Sequence, residues 1–319
     1  LKKPGRENWR EVVPEGSSVM TALSAVGGKL FVTYLENVAT RIKVFDTSGK
    51  QVREISFPTI GTASGMSGDW GRDEGFFTFS SFAQPTTIYR YSVESGKQEV
   101  FARITVPVQS DQIEVKQVWY ESKDKTKVPM FLVYKKGLTL DGNNPVFLTG
   151  YGGFNAPMTP NFSSVAAFWA ESGGVFALAN LRGGGEFGEK WHKAGMLENK
   201  QNVFDDFISA AEWLIKTKYT NPSKLAISGG SNGGLLVGAA MTQRPELFQA
   251  VVCSYPLLDM IRYQSFLVAK FWVPEYGSSE NADQFKYIYA YSPYHRVKKG
   301  EKYMNKRQRE HFRVKLLAW

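Results

Sequence analysis

Ser231 lies in the run Gly229-Gly230-Ser231-Asn232-Gly233-Gly234, which satisfies G-x-S-x-G. The apolar run Leu225-Ala226-Ile227-Ser228 precedes it, and Leu235-Leu236-Val237-Gly238-Ala239-Ala240-Met241 follows with the pattern of a buried helix. Strand, sharp turn and helix form the context that lifts a serine hydroxyl clear of a sheet as a nucleophile. The glycines suit that role, because the turn is strained and side chains beside it would block a substrate. Spacing and flanks agree, so Ser231 is the candidate nucleophile rather than part of an ordinary glycine-rich turn.

A serine hydroxyl is a weak nucleophile and needs a base, an orienting acid and donors for the oxyanion. Asn232 follows the serine, so its backbone N–H is placed to be one donor. Tyr151-Gly152-Gly153-Phe154 follows the apolar run Pro145-Val146-Phe147-Leu148-Thr149, where a second donor is usually supplied. The Tyr151 hydroxyl is one candidate; a glycine turn with a packing tyrosine is the other reading. His192, beside Trp191, reads as a hydrogen-bonded structural histidine. Asp205 and Asp206 fall where a helix is expected to begin, and capping and the helix dipole are sufficient reasons for them there. Gly183-Gly184-Gly185 has neither the Lys-Ser/Thr of a P-loop nor a full dinucleotide fingerprint. There is no H-E-x-x-H and no cysteine pair, so neither a metal nor another cofactor is expected.

The elements that must position these residues change character along the chain. Residues 1–112 read as all-β, with short strands at Leu30–Tyr34, Ile42–Phe45, Phe76–Phe79 and Thr87–Tyr91. Ser48-Gly49-Lys50-Gln51 recurs as Ser95-Gly96-Lys97-Gln98, and each copy reads as a hairpin turn between strands. That spacing suggests about two blades of a β-propeller, with a small β-sandwich as the alternative. From residue 113 the pattern becomes α/β. Apolar strands at 113–120, 130–134, 145–149, 175–179, 225–228 and 250–253 are increasingly separated by helical patterns, which predicts a parallel, doubly wound sheet. Ligands gather at the carboxyl ends of such strands.

The chain has 319 residues, a formal charge of +9, and is 43% hydrophobic and 14% aromatic. Residues 296–319 hold nine basic side chains against two acidic ones, so most of the charge excess sits at one end. That distribution argues against a nucleic-acid groove. No apolar run is long enough to span a bilayer, and the first residues lack the apolar stretch of a signal peptide. Cys253 is the only cysteine, which suits a reducing compartment, and a cytoplasmic location is expected.

Five motifs carry a resemblance to a known family: Tyr151-Gly152-Gly153-Phe154-Asn155, Asn180-Leu181-Arg182-Gly183-Gly184-Gly185-Glu186, Trp191-His192-Lys193-Ala194-Gly195, Asn202-Val203-Phe204-Asp205-Asp206-Phe207 and Gly229 to Gly234. The chain resembles the prolyl oligopeptidases, serine peptidases that join a β-propeller to an α/β-hydrolase domain. The resemblance runs from about residue 20 to Tyr303. It implies an endopeptidase that cleaves short peptides after proline, with a propeller over residues 1–112 and a catalytic α/β-hydrolase domain over 113–303. It implies Ser231 as nucleophile and the Tyr151 hydroxyl and Asn232 N–H as oxyanion donors. It implies Trp272 and Tyr276 as the lining of a proline pocket, with Phe154 and Leu257 completing the walls. Trp272 could then stack on a pyrrolidine ring; without the resemblance it reads as a core aromatic.

The triad acid and base are not found. In this order of motifs they should follow Ser231, yet no aspartate follows Asp283 and the later histidines are His295 and His311. Glu310 and His311 are sequence neighbours, which a continuous helix or strand would not aim at one another. Residues 304–319 form an unmatched basic tail, and a truncated chain with a foreign end is the expectation. An incomplete hydrolase domain would leave an unpaired sheet edge and only a residual rate on the order of 10³-fold over water. Two other readings remain open: a non-catalytic binder of Pro-containing peptides, and an esterase or acylaminoacyl peptidase.

Overall fold

The computed structural model describes residues 5–297. The tail at 304–319, with Glu310 and His311, lies outside the described residues. The chain divides into two units, one of residues 1–108 with 159–163 and one of the remainder.

The first unit is built from two antiparallel meanders. In one, β1 (Val19–Val26), β2 (Lys29–Glu36), β3 (Ala39–Phe45) and β4 (Gln51–Glu54) pair in chain order. In the other, β5 (Thr62–Ala63), β7 (Glu74–Ser81), β8 (Gln84–Ser92) and β9 (Gln98–Arg103) do so, with the short β6 (Ser67–Gly68) also on β7. Sequential four-stranded meanders are propeller blades, and the repeated Ser-Gly-Lys-Gln segments form their outermost hairpin turns. Gly49 and Gly96 sit there at φ 94° and 74°, a region that glycine enters without a Cβ penalty. Phe31 and Tyr91 hold the two sheets together, edge to face at 5.8 Å. Arg53 Nη1 donates to the Tyr91 hydroxyl at 3.2 Å.

The second unit centres on a six-stranded sheet made of β10 (Ile113–Glu121), β11 (Lys127–Lys135), β12 (Val146–Gly150), β13 (Val175–Ala179), β14 (Leu225–Gly230) and β15 (Ala250–Ser254). Its order is β10-β11-β13-β12-β14-β15. The sheet is mixed, which corrects the all-parallel expectation. β10 and β11 are antiparallel because a tight hairpin, closed by Lys125 N–H on Ser122 O at 2.9 Å, joins them where a crossover helix would be needed for parallel strands. β11 also meets β13 antiparallel, and only β13, β12, β14 and β15 run parallel. Chain order reverses between β12 and β14, which pair directly, so their carboxyl ends open onto the switch point of the sheet.

Helices cover this sheet: α1 (Ser164–Glu171), α2 (Glu189–Lys193), α3 (Gln201–Lys216), α4 (Asn232–Gln243), α5 (Val273–Tyr276), α6 (Ala282–Tyr291) and α7 (Pro293–Arg296). The apolar stripe of α3, Val203, Phe204, Phe207, Ala210, Ala211 and Leu214, is buried in the core with Leu148, Ala177 and Ile227. α4 is apolar on nearly every side and is buried accordingly. Among the described residues, no helix is long and apolar enough to cross a membrane.

Two acids in this unit carry more than local roles. α3 begins at Gln201, so Asp205 and Asp206 stand in its second turn and not at its cap, a correction to the sequence reading. Asp206 is buried and takes Arg182 Nη2 at 2.6 Å and Nε at 3.0 Å. A buried carboxylate needs such a partner, and Arg182 continues to Asp124 in the β10–β11 hairpin. Glu186 is buried with less support. Its Oε1 accepts from Met158 N–H at 3.0 Å and from Asn180 Nδ2 at 3.4 Å, while its Oε2 and the Asn180 Oδ1 have no hydrogen-bond partner among the described residues.

Burial pushes the Glu186 carboxyl up to about 7. Its folded value is raised, so its contribution is fully present below the ordinary value of 4.5 and is lost as pH climbs through 7. Glu186→Gln should abolish that loss. Urea unfolding should then find the variant gaining roughly 2–3 kcal/mol on wild type between pH 4.5 and 8. Parallel pH profiles for the two proteins would contradict the assignment.

Candidate active site

The turn between β14 and α4 holds Ser231 at φ 56° and ψ −119°. A non-glycine residue there is strained, and the surroundings enforce it. Ser231 N–H donates to Ser254 O of β15 at 3.2 Å, while Ser231 O accepts from Gly234 N–H at 2.9 Å. A Cβ on Gly229 would lie 2.0 Å from Gly233 O, and one on Gly234 would lie 2.8 Å from Pro256 Cα. Ser231 itself is half-buried. The Asn232 N–H lies in the first turn of α4, where backbone donors have no intrahelical acceptor and the helix dipole is positive. That corner can stabilise negative charge beside the serine.

The loop after β12 lies beside this corner. Gly152, Phe154 and Asn155 take φ of 66°, 58° and 55°. A Cβ on Gly152 would lie 2.3 Å from a Val203 methyl, so the chain passes too close to α3 for any larger residue. Side chains from elsewhere hold the loop. Asn232 Nδ2 donates to Tyr151 O at 2.6 Å, Lys200 Nζ donates to Gly152 O at 2.9 Å, and Glu275 Oε1 accepts from Phe154 N–H at 3.1 Å. The Asn232 side-chain oxygen accepts from the Tyr276 hydroxyl at 2.8 Å. Asn232 therefore links the serine turn, the Tyr151 loop and α5 through one amide.

The aromatic residues expected to form a substrate wall are brought together, with one difference. Phe154 meets Trp272 edge-on at 6.5 Å and Tyr276 edge-on at 5.5 Å. Phe154, Leu257 and Trp272 are half-buried and pack on the core. Tyr276 is only 1% exposed, and its ring also packs edge-on against Tyr263 at 5.4 Å. It stands behind the wall, because its hydroxyl is drawn inward to Asn232.

Both described histidines are engaged. His192 Nε2 lies 2.8 Å from Glu275 Oε2, and His295 Nδ1 lies 2.9 Å from Ser292 Oγ. Cys253 offers no second nucleophile, since its thiol contacts Gly234 O and burial pushes it up to about 12. Sequence reasoning missed Lys200 and Glu275. A lysine opening a helical segment and a glutamate beside a tyrosine carry no periodic signal of burial, and only the shared contacts to residues 152–154 reveal them.

Two outcomes follow from these contacts. Tyr276→Phe leaves Asn232 Oδ1 buried without its donor, and chemical denaturation should show a loss of about 1–3 kcal/mol. Gly229→Ala drives a methyl into the Gly233 carbonyl and should cost roughly 3 kcal/mol or more, seen as a lowered Tm. A neutral Gly229→Ala would contradict the close approach.

Comparisons with known proteins agree with this architecture. A model of the prolyl oligopeptidase family matches residues 160–307, and one of the prolyl oligopeptidase N-terminal β-propeller domain matches residues 1–103. A prolyl endopeptidase of Elizabethkingia miricola is 44% identical over 304 residues, which is 95% of this chain and 43% of that protein. One of Dictyostelium discoideum is 43% identical, over 91% of this chain and 39% of its own length. A solved prolyl endopeptidase superposes with a TM-score of 0.88 at 53% identity, covering 93% of this chain and 44% of the other. Prolyl oligopeptidase B of Galerina marginata, solved with a 25-residue macrocyclization substrate, gives 0.87 at 36% identity, covering 92% and 42%. The chain thus spans less than half the length of these relatives. On its matched residues, its blades and its hydrolase sheet, it belongs to the prolyl oligopeptidase family.

Proposed function

We propose that the protein carrying this chain is a serine endopeptidase that cleaves short peptides on the carboxyl side of proline. The observation that carries this is the strained Ser231 turn, locked through Asn232 to the Tyr151 loop. Ser231 Oγ attacks the scissile carbonyl, and the new C–O bond sends the carbonyl electron pair onto oxygen. That oxyanion is met by the Asn232 N–H and the Tyr151 hydroxyl. Collapse expels the leaving amine, which takes up the proton that Ser231 gives to a base, and leaves an acyl-enzyme on Ser231, which water then hydrolyses. Trp272 offers its indole face to the prolyl ring, with Phe154 and Leu257 at the sides and Tyr276 bracing them from behind.

Proton transfer from Ser231 requires a base that this reading does not assign. His192 is held by Glu275 and His295 by Ser292. That engagement favours a second reading, a non-catalytic chain that binds Pro-containing peptides at the same wall.

The two readings separate in one experiment. Hydrolysis of a Gly-Pro-nitroanilide peptide is followed beside its Gly-Ala counterpart. The peptidase reading expects a faster prolyl reaction. Trp272→Ala should cut that preference about tenfold or more, and Tyr151→Phe should slow the prolyl reaction roughly 10²–10³-fold. Binding of the prolyl peptide without turnover selects the second reading. Equal turnover of both substrates contradicts proline specificity and points to a general esterase or peptidase.

A further inference from the structure

We propose that Glu275 is a positioning residue that sets the oxyanion loop, working with Lys200 and coupling that loop to the Trp272 wall. The proposal rests on the reading of Ser231 and Tyr151 given above. Tyr151 is useful as a donor only if its backbone is fixed, and the residues that follow it have few backbone bonds, among them Ala156 N–H to Gly153 O and Asn155 N–H to Gly183 O, each at 3.1 Å. Gly152, Phe154 and Asn155 all lie in the left-handed region. Besides Asn232, the side chains that hold the loop are the buried charges of Lys200 and Glu275, 1% and 5% exposed.

The distances indicate what these charges are arranged for. Lys200 Nζ lies 2.9 Å from Gly152 O but 3.4 Å from Glu275 Oε1. Glu275 Oε1 lies closer to Phe154 N–H, at 3.1 Å, than to Lys200. Each ion makes its shorter bond to the loop backbone and its longer one to its counter-ion. Buried ion pairs are in any case weak sources of stability, often matched by apolar side chains of similar volume. His192 Nε2 at 2.8 Å on the other carboxylate oxygen fixes the plane of the carboxylate. The Lys200 ammonium also lies 5.2 Å from the centre of the Tyr276 ring, a cation–π contact.

Glu275 also sits between the two halves of the site along the chain. Trp272 lies at the end of the preceding turn, and Tyr276, the next residue, bonds Asn232. A displacement of α5 is therefore felt at the wall, at the serine turn and at the Tyr151 loop together. Substrate seated on Trp272 would act on the oxyanion loop through Glu275.

The test compares binding of an N-acyl-prolyl aldehyde with that of the matching alcohol by the full chain. The aldehyde carbon accepts Ser231 Oγ, its oxygen takes the carbonyl electron pair and the serine proton, and the hemiacetal places that oxygen at the donors. The alcohol reports on the wall alone. Glu275→Gln is expected to reduce the aldehyde-over-alcohol preference about tenfold or more, beyond any loss of alcohol affinity passed on through the wall. In the Tyr151→Phe background, Glu275→Gln should cost no further preference, since both changes disable one donor. Should Glu275→Gln fail to fold, Glu275→Asp, which keeps the charge but shortens its reach, is read in the same way. A purely structural Glu275 would lower both affinities alike, and additive losses would place it outside the loop; either result overturns the proposal. Wild-type protein with no aldehyde preference would instead remove the Ser231 reading itself, and the role of Glu275 with it.

Discussion

The carboxamide of Asn232 is the contact on which the site depends. Its nitrogen holds the carbonyl of Tyr151, its oxygen receives the Tyr276 hydroxyl, and its own backbone N–H opens α4 beside Ser231. Three segments far apart in the chain, at residues 151, 232 and 276, are thereby fixed to one planar group. A buried amide of this kind is stabilising only when both ends are satisfied. Its geometry leaves little latitude: a Cβ on Gly153 would lie 2.7 Å from Asn232 Nδ2, so the loop can approach only because that residue is glycine.

Around this amide the fold uses buried charge for position. Arg182 and Asp206 join the loop after β13 to α3, and Asp124 extends the link to the β10–β11 hairpin. Asp206 feels both its burial, which raises its carboxyl, and Arg182, which opposes that rise. Lys200 is pushed down to about 8 by burial yet remains within reach of Glu275 and the Gly152 carbonyl. These groups lie under the carboxyl ends of β12, β13 and β14, where backbone loops need fixed partners because they have no ladder of their own.

How far the sequence reveals this arrangement depends on the range of the signal. The Ser231 turn, the hairpin glycines at 49 and 96, and the apolar stripe of α3 are local patterns, and they appear in the structure as expected. Strand direction is not local: the apolar runs of β10 and β11 say nothing of the antiparallel pairing that a short hairpin imposes. Asp206 reads as a helix-start acid, which its place in the second turn of α3 corrects, and its pairing with Arg182 was not legible, since periodicity does not record which buried charges meet. Tyr276 was expected on the pocket wall. Its inward turn follows from the free oxygen of Asn232, which only the folded chain brings near.

The most direct measurement is a crystal structure of the chain with an N-acyl-prolyl aldehyde bound. A covalent bond should join Ser231 Oγ to the aldehyde carbon. The former carbonyl oxygen should lie within about 2.7–3.1 Å of both the Tyr151 hydroxyl and the Asn232 N–H, with the prolyl ring on the face of Trp272. An aldehyde bound elsewhere, or an adduct whose oxygen faces solvent away from Tyr151 and Asn232, would contradict that placement.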